Sequence, residues 1–441
     1  MPPSLTTFAF FAGCILLLPA VLYGLGLLKD TFHPLFFVGT VSFSLTVYGV
    51  FANREQSLQF VPAEALIVYL LLVILCFAGF AAGWFYARRR DRGIRMAPLQ
   101  PPVYRSNLLF LFAIIFTLVG VPIALYTRND FSVTGYLRDF GQLWMVGALL
   151  AIQSGLLQPS LRPAAIILVI LCLLPPIDRF LTYGQRGDTF RVALLIVPIF
   201  LFYQRRPQRV FFIPAALGLA LVLATLVQTR ALVYTGEAKN RFDALSKVIP
   251  SFVDGKNRQP IQGSEEYIFG SAMVAAARHT NDYDHGFGFL YNLGVRFLPK
   301  EYFDKDSLYT AWSPGNYIVH VAGDAGYGIP GGSAPSGFAH TFVEFWWFAP
   351  LFWALLGFWA RRIYLGALTG DLARQGYFVA FFIIMLYLLS QDLYTSSMNA
   401  IYTLPSLFLA YKAARVTQDE SAEEGYVFDV ASQFDVPTQP V

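Results

Sequence analysis

Residues Val61–Arg95 read VPAEALIVYLLLVILCFAGFAAGWFYARRRDRGIR. No charge interrupts the run from Ala65 to Ala87, and Arg88, Arg89, Arg90, Arg92 and Arg95 then follow within a few residues. An α-helix needs about 20 mostly apolar residues to cross a hydrocarbon core of about 30 Å, so this run is long enough to span a bilayer. The arginines mark its cytoplasmic end, because loops on that side carry the excess of Lys and Arg.

The pattern recurs along the chain. Hydrophobic residues make up 56% and charged residues 14% of the 441 residues, with a mean hydropathy of +0.52, which describes an integral membrane protein and not three soluble domains. Charge-poor runs predict eleven spans: Thr7–Leu28, Pro34–Ala52, Val61–Ala87, Asn107–Tyr126, Phe140–Leu157, Pro163–Ile177, Thr189–Tyr203, Val210–Gln228, His340–Ala360, Tyr377–Leu389 and Tyr394–Tyr411. The expected fold is an all-α polytopic membrane protein. The sixth, seventh and tenth spans are short, and the sixth is expected to stop at Pro175-Pro176. Cys14, Cys76 and Cys172 fall inside apolar runs, with neither disulfide nor metal-site spacing.

Counting from the arginine cluster puts the N-terminus outside and the C-terminus in the cytoplasm. The same count leaves Lys29, Arg162, Arg205, Arg206, Arg209, Arg361, Arg362, Arg374, Lys412 and Arg415 inside. The expected organisation is transmembrane helices 1–8 over 1–228, a long extracytoplasmic loop or lid over 229–339, helices 9–11 over 340–416, and an acidic, disordered cytoplasmic tail over 417–441. Within the long loop, short amphipathic helices are predicted around Glu265–Arg278 and Phe287–Phe297. No internal repeat supports an inverted-repeat transporter.

One short outer loop breaks the charge rule. Tyr183–Arg191 reads YGQRGDTFR and, with Asp178 and Arg179 before it, is more basic than an outer loop usually is. These arginines either reach lipid headgroups and the neighbouring aspartates, or hold an anionic substrate. A guanidinium grips phosphate bidentately, and Gly184 and Gly187 on either side of Gln185-Arg186 let a substrate approach the backbone. Arg186, Arg191 and Arg230 are therefore candidate phosphate contacts, with Asp188 orienting Arg186. His340 and Glu344 share one helical face at the mouth of the ninth span, as acid–base candidates or as an interfacial pair hydrogen-bonded to neighbouring helices. Asp392 lies at the same level. Tyr283, Phe287, Phe289, Tyr291, Tyr309, Trp312 and Tyr317 offer stacking faces for sugars, or simply a core for the loop, and Asp284 is among their polar neighbours.

Taken together, the Gly-x-Arg-Gly element of the outer loop, the long extracytoplasmic segment and the stretch Ser336–Gly357, SGFAHTFVEFWWFAPLFWALLG, resemble the O-antigen polymerases of bacterial envelopes, the Wzy-type oligosaccharide repeat-unit polymerases, and the related O-antigen ligases. The resemblance implies an inverting, metal-independent glycosyltransferase without a cofactor, at the outer face of the bacterial inner membrane. Its partner substrate would be undecaprenyl-diphosphate-linked oligosaccharide within membrane lipid. It leaves room for a chain-length regulator and other envelope glycan assembly proteins, and none for nucleic acid. It implies that Arg186 and Arg230 hold the diphosphate and that His340 stands where ligases have a candidate base. A ligase acting on lipid A core and a lipid-oligosaccharide flippase are the competing readings.

Overall fold

The computed structural model describes residues 3–28, 32–52, 54–91, 102–127, 139–183, 191–203, 238–239, 243–244, 246–247, 266–281, 283–296, 326–327 and 334–416. Among them the regular structure is helical, with no strand and one isolated bridge between Tyr104 and Arg415. The principal helices are α1 (Pro3–Gly24), α2 (Pro34–Ser42), α3 (Ala63–Asp91), α4 (Ser106–Tyr126), α5 (Leu143–Leu157), α6 (Arg162–Tyr183), α7 (Val197–Phe202), α8 (Glu266–Thr280), α9 (Phe287–Arg296), α10 (Gly337–Phe345), α11 (Ala349–Leu368), α12 (Leu372–Ser390) and α13 (Leu393–Ala414).

Among the described residues, seven helical stretches are long and apolar enough to cross a membrane: Ser4–Gly24, Pro34–Phe51, Ala63–Arg88, Ser106–Tyr126, Pro159–Arg179, Gly337–Leu368 and Leu372–Ser390. The chain is thus an α-helical, multi-pass membrane protein. The expected fifth and seventh spans are apolar but shorter, at Leu143–Leu157 and Arg191–Phe202. The last has full length but carries Thr395, Ser396, Ser397, Asn399, Thr403 and Ser406. The expected span at 210–228 lies outside the described residues.

Two expectations need correction. Helix α6 does not stop at Pro175-Pro176 but runs through both prolines to Tyr183, which places Asp178 and Arg179 on the helix and not in a loop. Prolines are tolerated there because a membrane helix can pass its freed backbone groups to neighbours. The ninth span is not one helix either. At Trp346 the backbone takes φ 52°, a 3-10 turn spans Trp346–Phe348, and α10 packs back on the first turns of α11. Phe338 stacks on Trp353 at 4.5 Å between ring centroids, whereas in an unbroken helix their Cα atoms would stand about 22 Å apart. Trp353 Nε1 donates to Thr341 Oγ1 at 3.1 Å, and Phe345 stacks on Phe352 at 5.5 Å.

Helix α12 lies at the centre, with 78% of its apolar window buried, against 22% for Pro159–Arg179 at the periphery. Small residues let α3 and α11 touch backbone to backbone: a Cβ on Gly83 would collide with the Ala354 carbonyl, and one on Gly357 with that of Phe80. Helices α8 and α9 form where the sequence places them. Yet α8 is not a surface amphipathic helix; nearly all of it is buried, with Tyr267 bonded to Ser57 at 2.5 Å and Gly270 against Tyr69.

The bundle has two chemically distinct ends. At one, His33 rests against Trp84 at 4.7 Å and Arg361 lies over the same indole at 5.1 Å. At that end too, the start of α4 meets the end of α13, with Arg105 N–H donating to Ala414 C=O at 2.8 Å and Tyr104 OH to Asp371 at 3.3 Å. Asp371 caps the start of α12, and Asp392 follows its other end, about 28 Å away at 1.5 Å per residue.

Candidate functional site

Ser336 starts α10 by accepting a hydrogen bond from Ala339 N–H at 3.3 Å, and its hydroxyl also receives Tyr69 OH at 2.6 Å. The glycine that follows lets the chain pass the Leu388 carbonyl, where a Cβ would not fit. The helix so anchored presents His340 and Glu344 one turn apart on the same face. Both are buried, at 2% and 0% relative exposure.

Two elements close around this pair. From α13, Tyr394 donates its hydroxyl to Glu344 Oε1 and sets its ring edge-to-face with His340 at 4.2 Å. Asp392 caps the same helix two residues before Tyr394, accepting from Thr395 N–H at 2.6 Å and Thr395 Oγ1–H at 2.9 Å. From the segment before α9, Asp284 N–H donates to Val343 C=O at 3.0 Å, which brings the turn into α9 against the end of α10. His285 and Gly286 both take positive φ, 50° and 85°, a conformation that costs a non-glycine residue and that turns this backbone toward the carboxylate. A Cβ built on Gly288 would lie 2.5 Å from Asp284 Oδ2, 2.6 Å from Glu344 Oε1 and 2.8 Å from Tyr394 Oη. Those three oxygens surround one point, which glycine leaves open.

Glu344 is held at Oε1 by Tyr394, and its Oε2 has no hydrogen-bond partner among the described residues. Among the described residues neither His340 ring nitrogen has a hydrogen-bond partner. Leaving a buried polar group unpaired costs about 1–3 kcal/mol, which makes His340 a group to test.

The arrangement gathers an imidazole, a phenol and two carboxylates, groups that can each exchange a proton with a bound molecule. Among the described residues, no three His, Cys, Asp or Glu side chains form a group able to hold a metal ion.

The other sequence-derived candidates fare differently. Arg186, Arg230, Gly184, Gly187 and Asp188 lie outside the described residues. Arg191 is buried at 3% exposure and built into the bundle: its Nη2 donates to Asn399 Oδ1 at 2.7 Å and Gln142 Oε1 at 3.3 Å, and its guanidinium covers the Tyr387 ring at 4.3 Å. It thus braces α12 and α13 one turn below the Asp392 turn and is engaged by protein groups. Tyr283, a candidate sugar platform, is packed among Phe342, Trp346 and His285 at 5.7–6.3 Å, while Phe287 is 69% exposed.

Sequence reasoning did not single out Tyr394 or Gly288. The available signals were a tyrosine inside the polar interruption SQDLYTSS (Ser390–Ser397) and the Gly-x-Gly of HGFG (His285–Gly288). No protein-family model, curated protein or solved structure matches the chain.

Proposed function

We propose that the protein is a glycosyltransferase that polymerises lipid-diphosphate-linked oligosaccharide repeats at the outer face of the bacterial inner membrane. In this reading the chain crosses the membrane eleven times, with its N-terminus outside, and the end rich in Arg88, Arg361, Arg374 and Arg415 faces the cytoplasm. His340, Glu344 and Asp392 then open to the outer side. The observation that carries the reading is His340, buried with unclaimed ring nitrogens beside Tyr394 and Glu344, at the end of the bundle away from the arginines.

The chemistry follows from what glycosyl transfer requires. The acceptor hydroxyl oxygen bonds to the anomeric carbon of the donor as the bond from that carbon to the diphosphate oxygen breaks. The diphosphate leaves with the electron pair, and the hydroxyl proton passes to a base. His340 or Glu344 is the group available to take the proton. Arg186 and Arg230 are assigned to the diphosphate, where guanidinium groups offset the charge that develops on the leaving group without a metal ion. A ligase would use the same donor and chemistry with lipid A core as acceptor.

Reconstitution in lipid vesicles with a lipid-diphosphate-linked repeat unit and a chelator tests the proposal. A ladder of longer glycans is the expected result. Transfer only when lipid A core is added would make the protein a ligase. No transfer to either acceptor, or transfer that needs a divalent metal, would overturn the mechanism.

A further inference from the structure

The site contains a second layer whose role its geometry fixes more closely than the reaction does. Glu344 accepts the Tyr394 hydroxyl, the neighbouring Val343 C=O accepts from Asp284 N–H, and Gly288 leaves only the narrow space between Asp284 Oδ2, Glu344 Oε1 and Tyr394 Oη. These contacts come from two elements far apart in sequence, the turn into α9 and the start of α13, and both converge on α10. The same Tyr394 whose hydroxyl is committed to Glu344 lays its ring against His340. Helix α10 is only nine residues long and is cut off from α11 at Trp346, so its own length does little to fix its rotation.

We infer that Tyr394 is a positioning residue: with the Gly286–Phe289 turn it clamps Glu344, and the clamp sets the rotation of α10 and the orientation of the His340 ring. Glu344 serves in the clamp, and His340 remains the group that meets substrate. The inference rests on the functional reading above for its chemistry, but the clamp itself is a statement about geometry.

The test uses the full-length protein in detergent or vesicles. Tyr394→Phe keeps the ring beside His340 and removes only the hydroxyl. Glu344→Gln keeps the shape and removes the charge. Gly288→Ala pushes a methyl group into the three oxygens, and serves if Glu344→Gln does not fold. Nitrogen-15 histidine spectra give a readout that needs no activity: the chain has five histidines, and the His340 signals are those lost in His340→Gln. They are expected to shift or broaden in Tyr394→Phe and in Gly288→Ala. Signals unchanged in both would overturn the clamp.

In the transfer assay, Tyr394→Phe is expected to lower kcat by about 100-fold with KM within about twofold, the signature of a misplaced reacting group. The Tyr394→Phe/Glu344→Gln double variant should be no slower than the slower single, because both break one unit. An unchanged kcat in Tyr394→Phe, or losses that multiply in the double variant, would overturn the positioning role. Should the wild-type protein transfer no glycan while the His340 signals respond, the functional reading falls and the clamp stands.

Discussion

Arg191 Nη2 donates to Asn399 Oδ1 at 2.7 Å, joining the start of a short apolar helix to the middle of the last one. The guanidinium also lies on Tyr387 and reaches Gln142, so one side chain ties together three parts of the bundle. Burying a charge this way is tolerated where acceptors and an aromatic face take up the guanidinium.

Arg191→Ala should therefore act as a stability defect. Losing hydrogen bonds to a charged group costs about 2–3 kcal/mol, and a lower midpoint of thermal unfolding in detergent is the expected sign. If Arg191 instead held substrate, the variant would unfold like the wild type and show only a raised KM.

The contrast between Arg191 and His340 shows what the sequence discloses and where it stops. Spans are legible because lipid offers the backbone no hydrogen bonds, so long apolar runs are obligatory and visible. Arg191 reads both as the last residue of the basic outer loop and as part of the seventh apolar run, and its partners Asn399 and Tyr387 are about two hundred residues off and leave no local trace. The break at Trp346 is hidden for a related reason. FVEFWWFAP (Phe342–Pro350) is apolar on both sides of the turn, and hydropathy does not tell one helix from two. Pro350, at the first turn of α11, was the available sign of a new start. His340 and Glu344 were readable as a pair because a spacing of four is local, whereas Tyr394 joins them only through the tertiary fold.

The contact between α3 and α11 is set by glycine. Gly83→Val would drive a side chain into the Ala354 carbonyl, and backbone cannot move aside as a side-chain tip can. A loss of about 1–3 kcal/mol is expected from overpacking of this kind. Leu71→Val on the same helix, at a position 38% exposed, is the control that should leave the unfolding midpoint unchanged.

His33 gives the arginine-rich end a pH dependence. Burial first, and then the charges of Arg361 and Arg88, push its imidazole down to about 4 from the usual 6.5. In the fold it stays neutral where the unfolded chain would take up a proton. Its contribution to stability is thus complete above about pH 6.5 and is lost as the pH falls toward about 4. His33 Nδ1 also caps α2 by accepting from Leu35 N–H at 3.3 Å, and asparagine can do the same. His33→Asn should keep the cap and flatten the fall in unfolding temperature between pH 6.5 and 4; an equally steep fall would assign that dependence to other groups.

Asp392 separates a structural role from a chemical one within a single side chain. It caps α13 through Thr395, two residues before the Tyr394 ring that lies against His340. Asp392→Asn preserves an acceptor at the cap, so its stability should stay close to that of the wild type, while Asp392→Ala should lose about 1 kcal/mol. Both variants remove a carboxylate close to the site, which would offset the positive charge that forms if His340 takes the proton of the acceptor hydroxyl. If His340 takes that proton, glycan transfer should fall by about tenfold in both, equivalent to about 1.4 kcal/mol in the barrier. The two substitutions would then match in rate and differ in stability. A rate loss confined to the alanine variant would mean that Asp392 matters only for holding the helix, and that the proton goes elsewhere.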